Sequence, residues 1–166
     1  FLMVAKSKVR ETGCCKPFNP KPWDKKTILM KNRLFLKAHV TSFFHIPINF
    51  GSVMVKSMDF INKNKLATKT PFMMVDESGL FGSDLFIEIN EPKGKIPVGE
   101  YVKISGTFLS RVYEGPYSKM GEWIRDMDKF VVSKNKVAKK VYFFYTMCPA
   151  CAKAYGQNYT VILAEV

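Results

Sequence analysis

A chain of 166 residues that is 47% hydrophobic and 14% aromatic has ample material for one packed core, which excludes a disordered chain. No apolar run approaches the ~18 residues of a membrane span, and the five-residue run before Lys6 is shorter than a secretory core, so a cytoplasmic, monomeric protein is expected. Of the 26 basic residues behind the net charge of +12, only Arg10, Arg33, Arg111 and Arg125 are arginine; with few guanidinium forks to grip phosphates, the charge points to weak nonspecific polyanion binding, not to a dedicated nucleic-acid role.

Residues 1–30 read as an irregular N-terminal arm, with 1–12 disordered. The stretch "CCKPFNPKPWDKKT" is rich in Pro and Lys, and Phe18 and Trp23 are bulky enough to anchor it. The remainder, 31–166, reads as one domain in two halves, about 34–90 and 101–166. "LFLKAHVTSFFHI" (34–46) alternates as a half-exposed strand, with His39 and His45 on its polar face, too far apart to share an ion. A helix with Asn49 as its N-cap follows, since Phe50, Val53, Met54, Ser57, Met58 and Ile61 keep helical spacing. "PFMMVD" (71–76) and "SDLFIEI" (83–89) are strand candidates.

The second half repeats that order. Residues 101–114 form a strand with Gly106 marking a bulge or bend. Residues 118–133 form a helix whose stripe is Met120, Trp123, Ile124, Met127, Phe130 and Val131. Strands at 140–147 and 158–166 close the chain. The fold class is therefore α+β, with duplicated β-α-β-β units making one antiparallel sheet and two helices covering one face.

Candidate chemistry gathers at "VYEGPYSK" (112–119). A turn needs Gly115 and Pro116 but neither Glu114 nor Tyr117, so both are candidates for the rim of a ligand groove. Glu114 could activate water, or simply complement the next helix dipole. Glu165, between Ala164 and Val166 on an apolar strand, is the second candidate catalytic acid, with fraying into water as the plain alternative. Trp123 is a ligand-binding candidate that core packing also explains. Cys148-Pro-Ala-Cys151 has metal-like spacing, and Cys14-Cys15 could complete a four-sulfur structural zinc set. A redox pair would open a helix there, and the stretch leaves no room for a helix of useful length; a plain turn with reduced thiols stands beside both readings. No phosphate loop, nucleophile elbow or His-Glu-x-x-His occurs.

Through "LSRVYEGPYSKMGEWIRDMDKFV" the chain resembles the GyrI-like (gyrase-inhibitor-like) small-molecule-binding superfamily. Through "CCKPFNPKPW", "KAHVTSFFHIPINFG" and "YFFYTMCPACAKAYGQNY" it is similar to a bacterial subgroup often labelled hydrolase, over about residues 14–166. The resemblance implies an aromatic cleft at a pseudo-twofold centre for flat or cationic molecules. It favours Tyr145 as a cleft tyrosine. The acid that many superfamily members carry in "Phe-Glu-x-Tyr" is missing from Phe143-Phe144-Tyr145, which leaves Glu165, Glu114 or Glu88 to supply it. Three functions follow: a sensor or scavenger binding a small organic molecule; a hydrolase of reactive electrophiles using Glu-activated water; and an inhibitor module binding a macromolecule through its basic surface.

Overall fold

In a computed structural model describing residues 15–43, 46–70 and 72–166, strand β1 (Lys26–Phe43) is 18 residues long and serves two neighbours. Its first part pairs antiparallel with β5 (Tyr101–Glu114), from Lys26↔Ser110 to Leu36↔Tyr101. Its second part pairs with β4 (Gly82–Glu88), from Phe35↔Glu88 to Thr41↔Gly82. Strands β3 (Met73–Asp76), β6 (Lys140–Tyr145) and β7 (Tyr159–Glu165) complete the order β1-β4-β3-β6-β7-β5, and the β1–β5 pairing shuts it into a six-stranded antiparallel barrel. A two-residue strand, β2 (Ile46–Pro47), pairs with the end of β1.

The open sheet expected from the sequence is thus corrected to a closed one. Closure needs a strand long enough to pair at both margins and a place for it to bend. The bend is a β-bulge, where the register slips between Met30 and Arg33. Asn32 takes φ 47° there, and its N–H donates to Ser105 Oγ at 2.8 Å. Gly106, expected to mark a bulge, instead lies opposite Met30 on the unbulged partner, and a Cβ at Gly106 would sit 3.5 Å from Glu165 Oε1.

Strand alternation sorts the core into an inside and two outsides. Met30, Phe35, Met74, Phe86, Phe108, Tyr142 and Leu163 cluster within the barrel and fill it. Outside, α1 (Phe50–Lys63) covers Leu34, Leu36, Val40, Leu85 and Ile87, while α2 (Met120–Ser133) covers Leu109, Phe143, Ile162 and Ala164. Leu163 therefore points in and its neighbour Ile162 points out. At about 2 kcal/mol for each large apolar side chain buried, Trp123, Met127 and Val131 suffice to hold α2 down. Asn49 precedes α1 but makes no side-chain cap; its Oδ1 accepts from Thr41 N–H at 2.8 Å, tying the helix start to β1.

A third helix, α3 (Pro149–Tyr155), occupies the β6–β7 connection. The expectation that no helix fits there is corrected. Cys148 is extended at its N-cap, Pro149 opens its first turn without losing a needed donor, and Gly156 ends it at φ 65°. Among the described residues, no helix is long and apolar enough to cross a membrane.

Candidate functional site

The odd positions of β6 face outward, and there the α1 and α2 layers meet. Tyr145 packs against both layers. Its ring stacks on Phe143 (centroids 6.4 Å, interplanar angle 12°), and Tyr117 meets it edge-on at 5.4 Å. Tyr117 reaches this position through the corner that Gly115 makes at φ 131°, a backbone region closed to most residues, followed by a single 3-10 turn, Tyr117–Lys119. The Tyr145 hydroxyl donates to a carboxylate oxygen of Glu77, just beyond β3. Burial, and then the charge and hydrogen bond of Glu77, push the Tyr145 pKa far above the usual tyrosine range, so its hydroxyl keeps its proton. Burial also raises the Tyr117 pKa, against the opposing hydrogen bond with Asn158.

On its other flank Glu77 borders a surface hollow of about 340 Å³, with Asp76, Ser78, Lys140, Val141 and Phe143 in the wall. Asp76 is buried and holds Lys140 Nζ at 2.7 Å. Desolvation pushes its carboxyl up, but hydrogen bonds from Lys140 and Ser78 prevail and its pKa is lowered. The wall therefore combines one fixed ion pair, aromatic carbon and one carboxylate shared with a tyrosine.

Two of the sequence-predicted residues, Tyr117 and Tyr145, come together here. The others do not. Glu114 is exposed at the end of β5, opposite Tyr159. Trp123 is 6% exposed and stacks on Tyr113 at 5.6 Å, as a core residue under α2. Beside it, Arg111 and the Tyr113 hydroxyl both donate to Asp126, tying β5 to α2. Glu88 is taken by Arg33, with Nε at 2.5 Å and Nη2 at 2.6 Å in a bidentate pair. Glu165 lies on the inward row of β7 with Leu163, opposite Phe108 and Lys140. His39 is exposed and meets Asp84 at 3.3 Å; His45, like residues 1–12, lies outside the described residues. The acid that the sequence reading missed is Glu77. It stands close to Tyr145 only because β3 pairs with β6, a contact between distant segments that no local pattern announces.

A second constellation lies at the start of α3. The Sγ atoms of Cys15, Cys148 and Cys151 all lie within 4.8 Å of one another, and Cys148 N–H donates to Cys15 Sγ at 3.5 Å. Three soft ligands that close could hold a metal ion. Cys14 lies outside the described residues.

No curated protein gives a significant match to this chain. A family model described as bacterial hydrolase matches residues 5–166. With the match running through the barrel, the Tyr145–Glu77 seam and the cysteine cluster alike, the chain belongs to the bacterial hydrolase family.

Proposed function

We propose that the seam between the α1 and α2 layers binds a small organic electrophile and hydrolyses it with water activated by Glu77. The observation that carries this reading is the hydrogen bond from Tyr145 to the Glu77 carboxylate beside the stacked Phe143 and the edge-on Tyr117. Aromatic faces next to a carboxylate suit a flat or cationic ligand through charge and ring quadrupole together. A hollow of about 340 Å³ is of the size small-molecule sites have. The family description favours hydrolysis over binding alone. In the reaction, water oxygen attacks the electrophilic carbon while Glu77 takes a water proton. The bond from that carbon to its leaving heteroatom breaks, and the heteroatom takes a proton from solvent. Tyr145 aims the carboxylate and stays neutral.

The likeness to the GyrI-like superfamily belongs to this proposal, with Glu77 in the role that Glu114, Glu165 and Glu88 were considered for. The test is a panel of epoxides, lactones and activated esters. Turnover by the wild-type protein that falls at least about a hundredfold in Glu77→Gln, with ligand still bound, is the expected result. Saturable binding without turnover would leave a sensor or scavenger. Turnover unchanged in Glu77→Gln would end the assignment.

A structural zinc ion at Cys15, Cys148 and Cys151 is the second part of the reading. Thiolates sharing a tetrahedral zinc stand about 3.8 Å apart, given Zn–S bonds of about 2.3 Å, and the observed cluster needs only small side-chain adjustments to reach that spacing. The N–H of Cys148 pointing at Cys15 Sγ holds the two cysteines side by side, as shared ligands must be.

A further inference from the structure

The segment from Cys15 to Lys25 is a plug. It has no strand or helix of its own, only turns, as in the hydrogen bonds from Trp23 N–H and Asp24 N–H to Pro20 O, both 2.9 Å. Yet it delivers two rings to one end of the barrel. Trp23 stacks on Phe72 at 5.5 Å and meets Phe144 at 5.4 Å; Phe18 meets Phe144 at 6.1 Å and Tyr159 at 5.7 Å. Both are half-buried and pack against the cluster that fills the barrel interior. Near Trp23 the plug is tied by Ser110 Oγ to Trp23 O and by Val112 N–H to Asp24 Oδ1. At its other end it is tied to α3, by Tyr155 hydroxyl to Cys15 O and by the thiol cluster.

Resting on the zinc reading, we propose that the ion held by Cys15, Cys148 and Cys151 is a clamp that docks the plug 15–25 and orders α3 as one unit, closing that end of the barrel. Two things make the ion decisive. Lys26 is already fixed in β1, so Cys15 ends a segment of eleven residues with no strand or helix of its own, and the ion fixes the far end of that segment on α3. And α3, at seven residues, is too short to persist by helix propensity alone. The barrel strands carry their own ladder and do not depend on the clamp, so losing the ion is a local opening rather than global unfolding.

The experiment follows amide hydrogen exchange of the full chain, purified with zinc and then treated with a chelator, alongside a count of zinc per chain. Expected are about one zinc per chain, exchange in 15–25 and 149–155 faster by about tenfold or more after chelation, and little change in β5 and β7. Cys15→Ser should open 15–25 to the same degree without chelator. Zinc lost with exchange in 15–25 unchanged would overturn the clamp while leaving the zinc reading intact. No zinc bound, and no slowing of exchange when zinc is added, would overturn both. Exchange rising equally through β5 and β7 would also overturn the clamp, because the ion would then hold the barrel and not the plug.

Discussion

The Tyr145 hydroxyl donates a hydrogen bond to the carboxylate of Glu77, joining the end of β6 to the segment after β3 across the line where two helical layers meet. Removing that donor leaves the carboxylate in place but unaimed. Tyr145→Phe should therefore lower kcat by about tenfold to a hundredfold while KM changes little, a smaller loss than Glu77→Gln gives. Steady-state kinetics on whichever electrophile the wild-type protein turns over will check this. Equal kcat in Tyr145→Phe would show that the hydroxyl does not orient the base.

The same burial has a consequence at high pH. An unfolded tyrosine ionises near pH 10, whereas burial and Glu77 hold folded Tyr145 neutral well above that. Below about pH 10 both states keep the proton and stability does not vary on this account. Above it the unfolded state carries fewer protons, so stability falls as pH rises, by about 1.4 kcal/mol per pH unit. Urea unfolding between pH 9 and 11 should show a slope shallower by that amount in Tyr145→Phe than in wild type, the remainder coming from Tyr113, Tyr117 and Tyr142, whose pKa values burial also raises.

Arg33 and Glu88 illustrate an acid whose place is structural. The pair is partly buried, and the guanidinium lies 4.8 Å from the centroid of Phe72. Glu88→Ala strands that cation, and the expected cost is about 2 kcal/mol of unfolding free energy with kcat unchanged. A fall in kcat at undiminished stability would return Glu88 to the site.

At the Glu-Gly-Pro-Tyr corner Glu114 and Gly115 should behave oppositely. Glu114→Gln is expected to leave both turnover and stability within error, since the side chain is exposed. Gly115→Ala forces φ 131° on an alanine and brings a Cβ to 3.7 Å from Trp123 Cζ2. A loss of 1 kcal/mol or more, together with weaker ligand binding as Tyr117 shifts, is expected from denaturation and titration of that variant.

Trp123→Ala should cost about 3–5 kcal/mol, the range for emptying an aromatic site in a core, because Trp123 is 6% exposed and stacked on Tyr113. Ligand affinity measured where the variant is still folded should hold, which would separate packing from recognition at this residue.

The elements were legible because each carries its period in a short window. The stripe of Trp123, Met127 and Val131 announces α2, and β5 starts and ends where its alternating run does. Closure was not legible, since it depends on how Lys26–Met30 registers with Gly106–Ser110, and Lys26 sits in a Pro- and Lys-rich setting that reads as irregular. At the site, Tyr117 carried a signal in the corner motif, and Tyr145 in the resemblance of its strand to a family stretch. Glu77 carried none, because its role comes from the β3–β6 pairing and not from its neighbours in sequence. The cysteines fall between: the Cys148–Cys151 spacing was visible, while the helix that presents it depends on Pro149 and Gly156 acting together.

The long first strand also sets the order in which this molecule can be made. Lys26 bonds opposite Ser110, 84 positions later, so during synthesis β1 leaves the ribosome ahead of both β4 and β5, and its first half waits the longer for its partner. Until residues 101–110 emerge, that half of β1 presents unmet amides and carbonyls to any neighbouring nascent chain. Slow closure, with a backbone edge left bare until the last strands arrive, is what this pairing imposes.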